Sequence, residues 1–409
     1  MPFLLYSYLT SQILGPFFAG LLIVNAILFL AKLSSLLDII FGFGIGPADF
    51  GRISLYLLPN LLQFSLPMAS TFGVIIAFTR LSGDNEVLAL KAGGIGITSL
   101  VGPVLLVALF TAGLTALDTC LLIPRSNRAL KQTFFQLARE KIDRGLRSRE
   151  FSDSLERVVI YVDQVDPESK EWRGVYIYDR RDPSNPLIIL ARSGRLTASA
   201  EEMLITLELR NGSINRDRGE ISQTISFGDY RLQLPLNSGP AGMRQVDSPK
   251  NLGKMDLYPA QLLERAADLR REAENNPSLY QVNQTKSIDL ISEFHSRLAL
   301  PVGCLVMALL ALPLSLQTRP GRGRPGLALG LFFFVLYYIL LTVAQALTET
   351  SGLPIGLLMW SPNLVFACLA LLMLRSSARE NTVPFLELVL DWFAGLTATF
   401  KKLRDRRPA

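Results

Sequence analysis

Residues Leu298–Thr318 read LALPVGCLVMALLALPLSLQT and contain no charged side chain. At a rise of 1.5 Å per residue, a helix of this length crosses a hydrocarbon core of about 30 Å. Five other stretches have the same character: Ile13–Ala31, Tyr56–Thr79, Gly93–Leu117, Pro325–Thr348 and Ser351–Leu374. The sequence therefore predicts a membrane protein with six transmembrane helices, three on each side of a long charged insert.

Composition agrees with this division of the chain, because 49% of its 409 residues are hydrophobic and 19% are charged. Residues 1–31 contain no Lys or Arg, so the first apolar stretch is predicted to be a retained helix and not a cleaved signal peptide. The predicted parts are residues 1–123 with three spans and a short helix at 84–92, an extramembrane domain at 124–297, three further spans at 298–374 and a basic tail at 375–409.

The distribution of basic residues predicts the orientation of the chain in the membrane. Short loops that are rich in Lys and Arg usually lie in the cytoplasm. The tail after Leu374 is rich in both, and the turn at 319–324 carries three arginines, whereas the loop after the first span holds only Asp38, Asp49 and Arg52. Both termini are therefore predicted to be cytoplasmic and the insert to lie outside. The apolar run Val383–Phe400 is predicted to be an interfacial helix. A seventh span is the alternative, which the two carboxylates near the middle of the run disfavour.

The insert has the pattern of a β-domain. Alternation of apolar and polar residues is clear at Ile205, Leu207 and Leu209 and again at Ile225 and Phe227. Asn211-Gly212 and other turn-forming residues separate the runs. Five strands are predicted, at Val158–Val165, Val175–Tyr178, Leu187–Ala191, Met203–Leu209 and Gln223–Leu234, and they indicate an antiparallel β-sandwich or open barrel. Helices are predicted at Arg125–Arg147 and Pro259–Asn275.

The sequence contains no recognisable set of catalytic residues. The chain has one histidine, His295, and Gly253-Lys254 is not followed by Ser or Thr, so neither a His-rich metal site nor a P-loop is predicted. Three cysteines without a paired spacing predict no zinc site and no disulfide framework. The six spans contain no charged residue, which disfavours an ion-coupled permease. Asp118, just past the third span, is predicted to be an interfacial or capped carboxylate.

The connection between the second and third spans predicts a short helix. Asp84 is a candidate N-cap, Glu86 is favoured in the first helical turn, and Gly93-Gly94 ends the helix. Val87, Leu88 and Leu90 give this helix an apolar surface, and Glu86 can contact a partner. A solvated connector helix is the alternative interpretation.

Several segments together resemble the LptF/LptG permeases of lipopolysaccharide export. The resemblance depends on the segment Asp84–Gly93, on Phe29–Leu33, on Arg297–Ser315 and on Trp360-Ser-Pro-Asn363-Leu. It covers nearly the whole chain and includes the order of spans and insert.

This resemblance implies a Gram-negative inner-membrane protein with a periplasmic jelly-roll-like domain between helices 3 and 4, and not an enzyme. The implied partners are a second six-span permease in a heterodimer, a cytoplasmic ABC ATPase dimer that uses ATP and Mg, a periplasmic jelly-roll bridge protein, a single-span membrane protein and lipopolysaccharide. No cofactor of this chain and no nucleic acid are implied. The helix from Pro259 favours an LptF-like subunit.

The resemblance also implies site residues. ATPase coupling is assigned to Asp84, Glu86, Val87, Leu88 and Leu90. Lipid binding is assigned to Phe29, Lys32 and Leu33 in the first span and to Ile205, Leu207, Leu209, Ile225 and Phe227 in the β-domain. A lysine anchoring its helix at the interface is the alternative for Lys32. A non-transporting adaptor that transmits ATPase motion to a periplasmic partner is the alternative for the whole chain.

Overall fold

The computed structural model describes residues 3–43, 46–145, 149, 151–155, 158–166, 171–180, 186–199, 204–218, 221–235, 254–275, 280–317 and 325–379. The predicted interfacial helix at Val383–Phe400 and the arginine-rich turn at 319–324 lie outside the described residues. The chain divides into two compact units, one comprising Met1–Phe29, Pro59–Pro124 and Leu257–Ala409, the other Leu30–Leu58 and Arg125–Asp256.

Within the described ranges, six helices are long and apolar enough to cross a membrane, which confirms the six predicted spans. The helices are α1 (Phe3–Phe43), α2 (Pro47–Gly83), α3 (Glu86–Ala92), α4 (Ile97–Leu117), α5 (Ile123–Gly145), α6 (Pro259–Asn275), α7 (Tyr280–Gln317), α8 (Pro325–Thr350) and α9 (Ile355–Ala378). A π-helical turn, Asp118–Leu122, joins α4 to α5. The bounds of α6 are those predicted from the sequence.

Among the described residues, the two largest clusters of buried apolar side chains on the helices form much of the helical core. In the first, α1, α2, α4 and α7 bury residues such as Ile13, Phe78 and Val104. In the second, the rings of Tyr337 and Phe366 meet edge to face, with centroids 5.5 Å apart. Close helix packing depends on small residues, as is usual in membranes. At Gly303, for example, an added Cβ would overlap the Tyr337 hydroxyl.

Prolines inside the spans leave backbone carbonyls without their helical donor, because a proline at position i has no N–H for the carbonyl at i−4. In a membrane such a carbonyl needs another donor. Two of them accept a hydroxyl from a different segment. These pairs are the Tyr338 hydroxyl and Gln63 O at 3.2 Å, opposite Pro67, and the Thr119 hydroxyl and Arg297 O at 3.1 Å, opposite Pro301.

The insert between the third and fourth spans forms an antiparallel β-domain, as predicted. Its described strands form one sheet in sequential order: β1 (Phe151–Leu155), β2 (Val158–Val165), β3 (Glu171–Asp179), β4 (Leu187–Ser199), β5 (Leu204–Arg218) and β6 (Ile221–Pro235). Strand β1 is an addition to the predicted set. Among the described residues, the buried cluster of this domain consists of strand side chains, with Ile177, Ile189 and Leu207 fully buried. The sheet therefore curls over its own inner face.

A line of irregular positions, here called the crease, crosses this sheet from β2 to β6. In each strand from β2 to β6 the alternation of inward side chains reverses: β3, for example, buries Trp172 and then Val175 and Ile177. The reversal falls at one residue in each strand that has no paired residue on the neighbouring strand. These residues are Asp163, Gly174, Arg192, Asn211 and Gly228.

Left-handed backbone explains the reversal in two of these strands. Gly174 has φ +64°, and Asn211 has φ +53°. Such a residue rotates the strand, so the next side chain takes the opposite side of the sheet. The predicted turn at Asn211-Gly212 is therefore wrong: both residues lie inside β5, where they bend the strand without ending it.

Candidate functional site

Helix α3 is the short helix predicted between the second and third spans. It runs from Glu86 to Ala92, and Gly94 follows with φ +82°, a conformation that favours glycine after a helix. The prediction of Asp84 as N-cap is wrong, because Asn85 occupies that position with φ +59° and caps no backbone N–H with its side chain. The Asp84 carboxylate lies 3.8 Å from Arg80 Nε instead.

The apolar residues of α3 divide between two directions. Val87 is buried in the helical core with Leu9 and Phe78, and Leu90 packs against the same cluster. Leu88 is 64% exposed. Of the three apolar residues assigned to ATPase coupling, Val87 and Leu90 therefore anchor the helix to this chain, and Leu88 remains available to a partner.

Glu86 is fixed by a contact that the sequence did not reveal. The Tyr8 hydroxyl donates to Glu86 Oε2 at 2.8 Å, and the hydrogen bond joins α3 to the beginning of α1. The two residues are 78 positions apart, and no local pattern connects them. A hydrogen bond to a charged group is among the stronger kinds. The start of α1 is thus tied directly to α3.

Helix α1 contains the three span residues assigned to lipid binding. Lys32 is exposed, while Phe29 and Leu33 are half-buried. In an apolar segment of 18 residues within α1, only 17% of the residues are buried in this chain. The corresponding share is 67% for α2 and 78% for α7. Leu22 and Ile27, for example, are 72% and 60% exposed. One face of α1 is therefore left to lipid or to another protein.

The residues assigned to lipid binding in the β-domain lie on both sides of the crease. Leu207 and Leu209 are buried, opposite Leu232 and Tyr230 of β6. Ile205 pairs through its backbone with Ala198 and Leu234.

Beyond the crease the inner face opens toward the last strand. Ile225 pairs with Ile214, which pairs with the fully buried Ile189, so the three side chains point to the same side of the sheet. Ile225 itself is 59% exposed, and Phe227 is half-buried beneath Gly212. The inner apolar face thus extends to an uncovered end at β6.

A seam of hydroxyl and thiol groups runs between the spans. The Ser70 and Thr111 hydroxyls are 3.1 Å apart, and the Cys304 thiol lies 3.4 Å from Thr111 Oγ1. Above it, on the π-helical turn, Asp118 is only 1% exposed, and neither carboxylate oxygen has a hydrogen-bond partner among the described residues. Of the two predicted alternatives for Asp118, the capped carboxylate is wrong, and the interfacial position stays a prediction.

These features define a class: a multi-pass membrane protein with six spans, an antiparallel β-domain between the third and fourth, and a short helix between the second and third. The family model of the lipopolysaccharide export system permease LptF/LptG matches residues 7–376 of this chain. The chain belongs to this family, which confirms the resemblance predicted from its sequence. It is a lipopolysaccharide export permease by family, and six apolar helices with this membership point to the inner membrane.

Individual relatives are distant. The chain is 24% identical to the lipopolysaccharide export system permease protein LptF of Escherichia coli strain K12 over 384 residues, which is 90% of this chain and 94% of the relative. It is also 24% identical to an uncharacterized protein of Rickettsia prowazekii over 294 residues, which is 72% of this chain and 76% of that relative.

Proposed function

We propose that this chain is the LptF-like permease subunit of an ATP-driven complex that extracts lipopolysaccharide from the inner membrane and passes it to a periplasmic bridge toward the outer membrane. Removing a multi-acyl lipid from a bilayer exposes methylene groups at about 0.8 kcal/mol each. An external source of free energy is therefore required. The sequence contains no P-loop, so an ABC ATPase dimer that binds ATP and Mg supplies it from the cytoplasm.

The observation that carries this proposal is the position of α3. Leu88 projects from the helix, whereas Val87 is buried in the core and Glu86 accepts a hydrogen bond from Tyr8. A partner that moves α3 through Leu88 therefore also displaces α1 and the packed helices around Val87. Such an arrangement suits a coupling helix better than a solvated connector.

The exposed face of α1 is assigned to the second permease subunit and to the lipid between the two chains. Exposed apolar residues such as Leu22 and Ile27 suit a protein or lipid contact within the bilayer. Lys32, exposed on the same helix, can pair with a phosphate of the lipid headgroup.

The β-domain is assigned to the lipid after extraction. Its inner face is apolar and opens at β6 beside Ile225. Strand β6 ends the described sheet, so it can pair with a β-domain of a neighbouring protein in the bridge. A single-span membrane partner completes the proposed assembly.

Substitution of Leu88 tests the contact with the ATPase. Leu88→Glu places a charge in the proposed apolar contact, and we expect the ATPase to co-purify at least tenfold less while the chain and the second permease remain associated. Leu263→Glu is the matched control, since Leu263 is 43% exposed on α6, at the other end of the spans. Equal recovery of the ATPase with Leu88→Glu would contradict the assignment.

Photocrosslinking tests the lipid pathway. A photoreactive amino acid at Phe227 is expected to form an adduct with lipopolysaccharide that depends on ATP hydrolysis. The same residue at Leu190, 41% exposed on the opposite face of the sheet, should give little adduct. An adaptor without transport activity would give no ATP-dependent adduct at either position.

A further inference from the structure

Helix α6 packs along the first half of α7. Four side chains form the buried contact between the two helices: Leu262, Ala266, Leu269 and Leu290. Toward the end of α6, Arg270 Nε donates to Ser287 Oγ of α7 at 3.3 Å. We call α6 together with Tyr280–Arg297 the outer hairpin.

Arg297 closes the base of the outer hairpin. Its side chain is only 3% exposed, with Nε donating to Glu293 Oε1 at 3.0 Å and Nη1 donating to Leu257 O at 2.6 Å. Leu257 lies two residues before α6, and Arg297 comes directly before the apolar run of α7. Because the hairpin is tied at its base and again at Arg270, it can move as one body.

A helix interruption lies next to this base. Pro301 follows Arg297 by one helical turn, so Arg297 O lacks the N–H that would bond it in a regular helix. Sharp bends of helices occur mainly at prolines. The Thr119 hydroxyl, on the π-helical turn between α4 and α5, lies 3.1 Å from Arg297 O and holds the interrupted segment against that turn.

The Thr119 hydroxyl also has an alternative acceptor. Thr115 O, one turn earlier in the chain, lies 3.0 Å away, and a hydroxyl has a single proton to donate. Thr115 O already accepts the backbone N–H of Asp118, whereas Arg297 O has no helical donor. The hydroxyl therefore matters more to Arg297 O, yet it stays paired when it turns back to Thr115 O.

The outer hairpin has room to move on one side. A cavity of about 630 Å³ lies between it and the turn that joins α8 to α9. Ile288 and Ile291 line the cavity from the hairpin, and Leu353, which is 56% exposed, lines it from the turn. Closing the cavity would bury these apolar side chains against one another, which is favourable.

We infer that the outer hairpin swings about Pro301 between an open position, held by the hydrogen bond from Thr119 to Arg297 O, and a closed position against the α8–α9 turn. Apolar burial favours closure, and the hydrogen bond opposes it. Leu257 belongs to the segment that follows β6 in the chain, so the swing displaces the end of that segment. A link between this motion and ATP hydrolysis rests on the proposed function, whereas the two positions do not.

A distance measurement between two spin labels tests the swing. After replacement of the three native cysteines, labels are placed at Ala267→Cys on the outer hairpin and at Ser351→Cys in the α8–α9 turn of the full-length chain, purified with its bound partners. Both positions are exposed, and neither lines the cavity. We expect a main distance and a shorter minor one. Thr119→Val, which lacks the hydroxyl, should raise the ratio of short to long distance about fivefold, as for the loss of one ordinary hydrogen bond.

Three further variants make the test specific. Thr119→Ser retains the hydroxyl and should keep the original ratio. Thr71→Val is the matched control, since Thr71 is also buried and its hydroxyl donates to Pro67 O of its own helix at 2.8 Å. Pro301→Ala restores the N–H for Arg297 O, so the short distance should decline, and adding Thr119→Val should have no further effect. Thermal unfolding of each variant reports whether the fold is intact.

Two results would overturn the inference. One is a distance distribution that is the same in the wild-type chain and in folded Thr119→Val or Pro301→Ala, and the other is an equal shift in Thr119→Ser or Thr71→Val. A ratio that responds to Thr119→Val and not to ATP would support the hinge and contradict the proposed function instead.

Discussion

At the scale of single residues, Asp118 differs from the other described residues because both oxygens of its buried carboxylate lack a hydrogen-bond partner. A buried carboxylate without a hydrogen-bond partner loses its hydration and gains nothing in return. The π-helical turn that holds it is itself rare and is frequent at functional positions. The charge of Asp118 therefore costs the folded protein stability.

Asp118→Asn should therefore stabilise the protein. Removing the charge eliminates much of the desolvation cost, and we expect a gain of about 1–3 kcal/mol, measured as a raised midpoint of thermal unfolding in detergent. Asp49→Asn is the control, because Asp49 pairs with Arg52 at the surface and its loss should cost less than about 0.5 kcal/mol. A less stable Asp118→Asn variant would mean that the carboxylate has a partner.

Tyr8→Phe isolates the hydrogen bond between α1 and α3. The ring is retained and only the hydroxyl that contacts Glu86 is lost, so the ATPase should still co-purify in full. We expect lipid transported per ATP hydrolysed to fall severalfold in proteoliposomes, since motion of α3 would no longer act directly on α1. Tyr56→Phe, in the first half of α2, serves as control. An unchanged ratio would show that Val87 alone carries the motion.

At the scale of elements, the crease explains why strands were predicted too short. The predicted strand Val175–Tyr178 begins one residue after Gly174, Leu187–Ala191 ends one residue before Arg192, and Met203–Leu209 ends two residues before Asn211. The alternation on which these predictions depend reverses at the three crease residues. Alternation of apolar and polar residues identifies a strand only while every second residue stays on the same face of the sheet. Helix α6 has no such interruption, and its bounds were predicted correctly.

The pairing of prolines with hydroxyls allows a test at the same scale. Tyr338→Phe removes the donor to Gln63 O and should cost about 1 kcal/mol of stability. Pro67→Ala restores a backbone N–H for the same carbonyl. In the double variant the cost of Tyr338→Phe should largely disappear, giving a coupling free energy of similar size in a double-mutant cycle of unfolding measurements. Additive effects would show that the carbonyl does not depend on the hydroxyl.

At the scale of the whole molecule, the sequence predicted the architecture better than the contacts. Six uncharged stretches of sufficient length left little choice about the spans, and the family resemblance followed from short segments in a fixed order. The Tyr8–Glu86 hydrogen bond and the cavity beside Arg270 were not predicted, because each joins residues from distant parts of the chain. Local patterns contain periodicity and capping signals but no information about which distant side chains meet.

Orientation in the membrane is the remaining prediction for the whole molecule. Basic residues after Leu374 and in the turn at 319–324 predict that α3 faces the cytoplasm and the α8–α9 turn faces the periplasm. After replacement of the three native cysteines, Ser351→Cys and Ala92→Cys place single thiols at exposed positions at opposite ends of the spans. A membrane-impermeant maleimide should label Ser351→Cys in intact spheroplasts and Ala92→Cys only after lysis. The reverse pattern would place α3 outside, where no cytoplasmic ATPase could reach it.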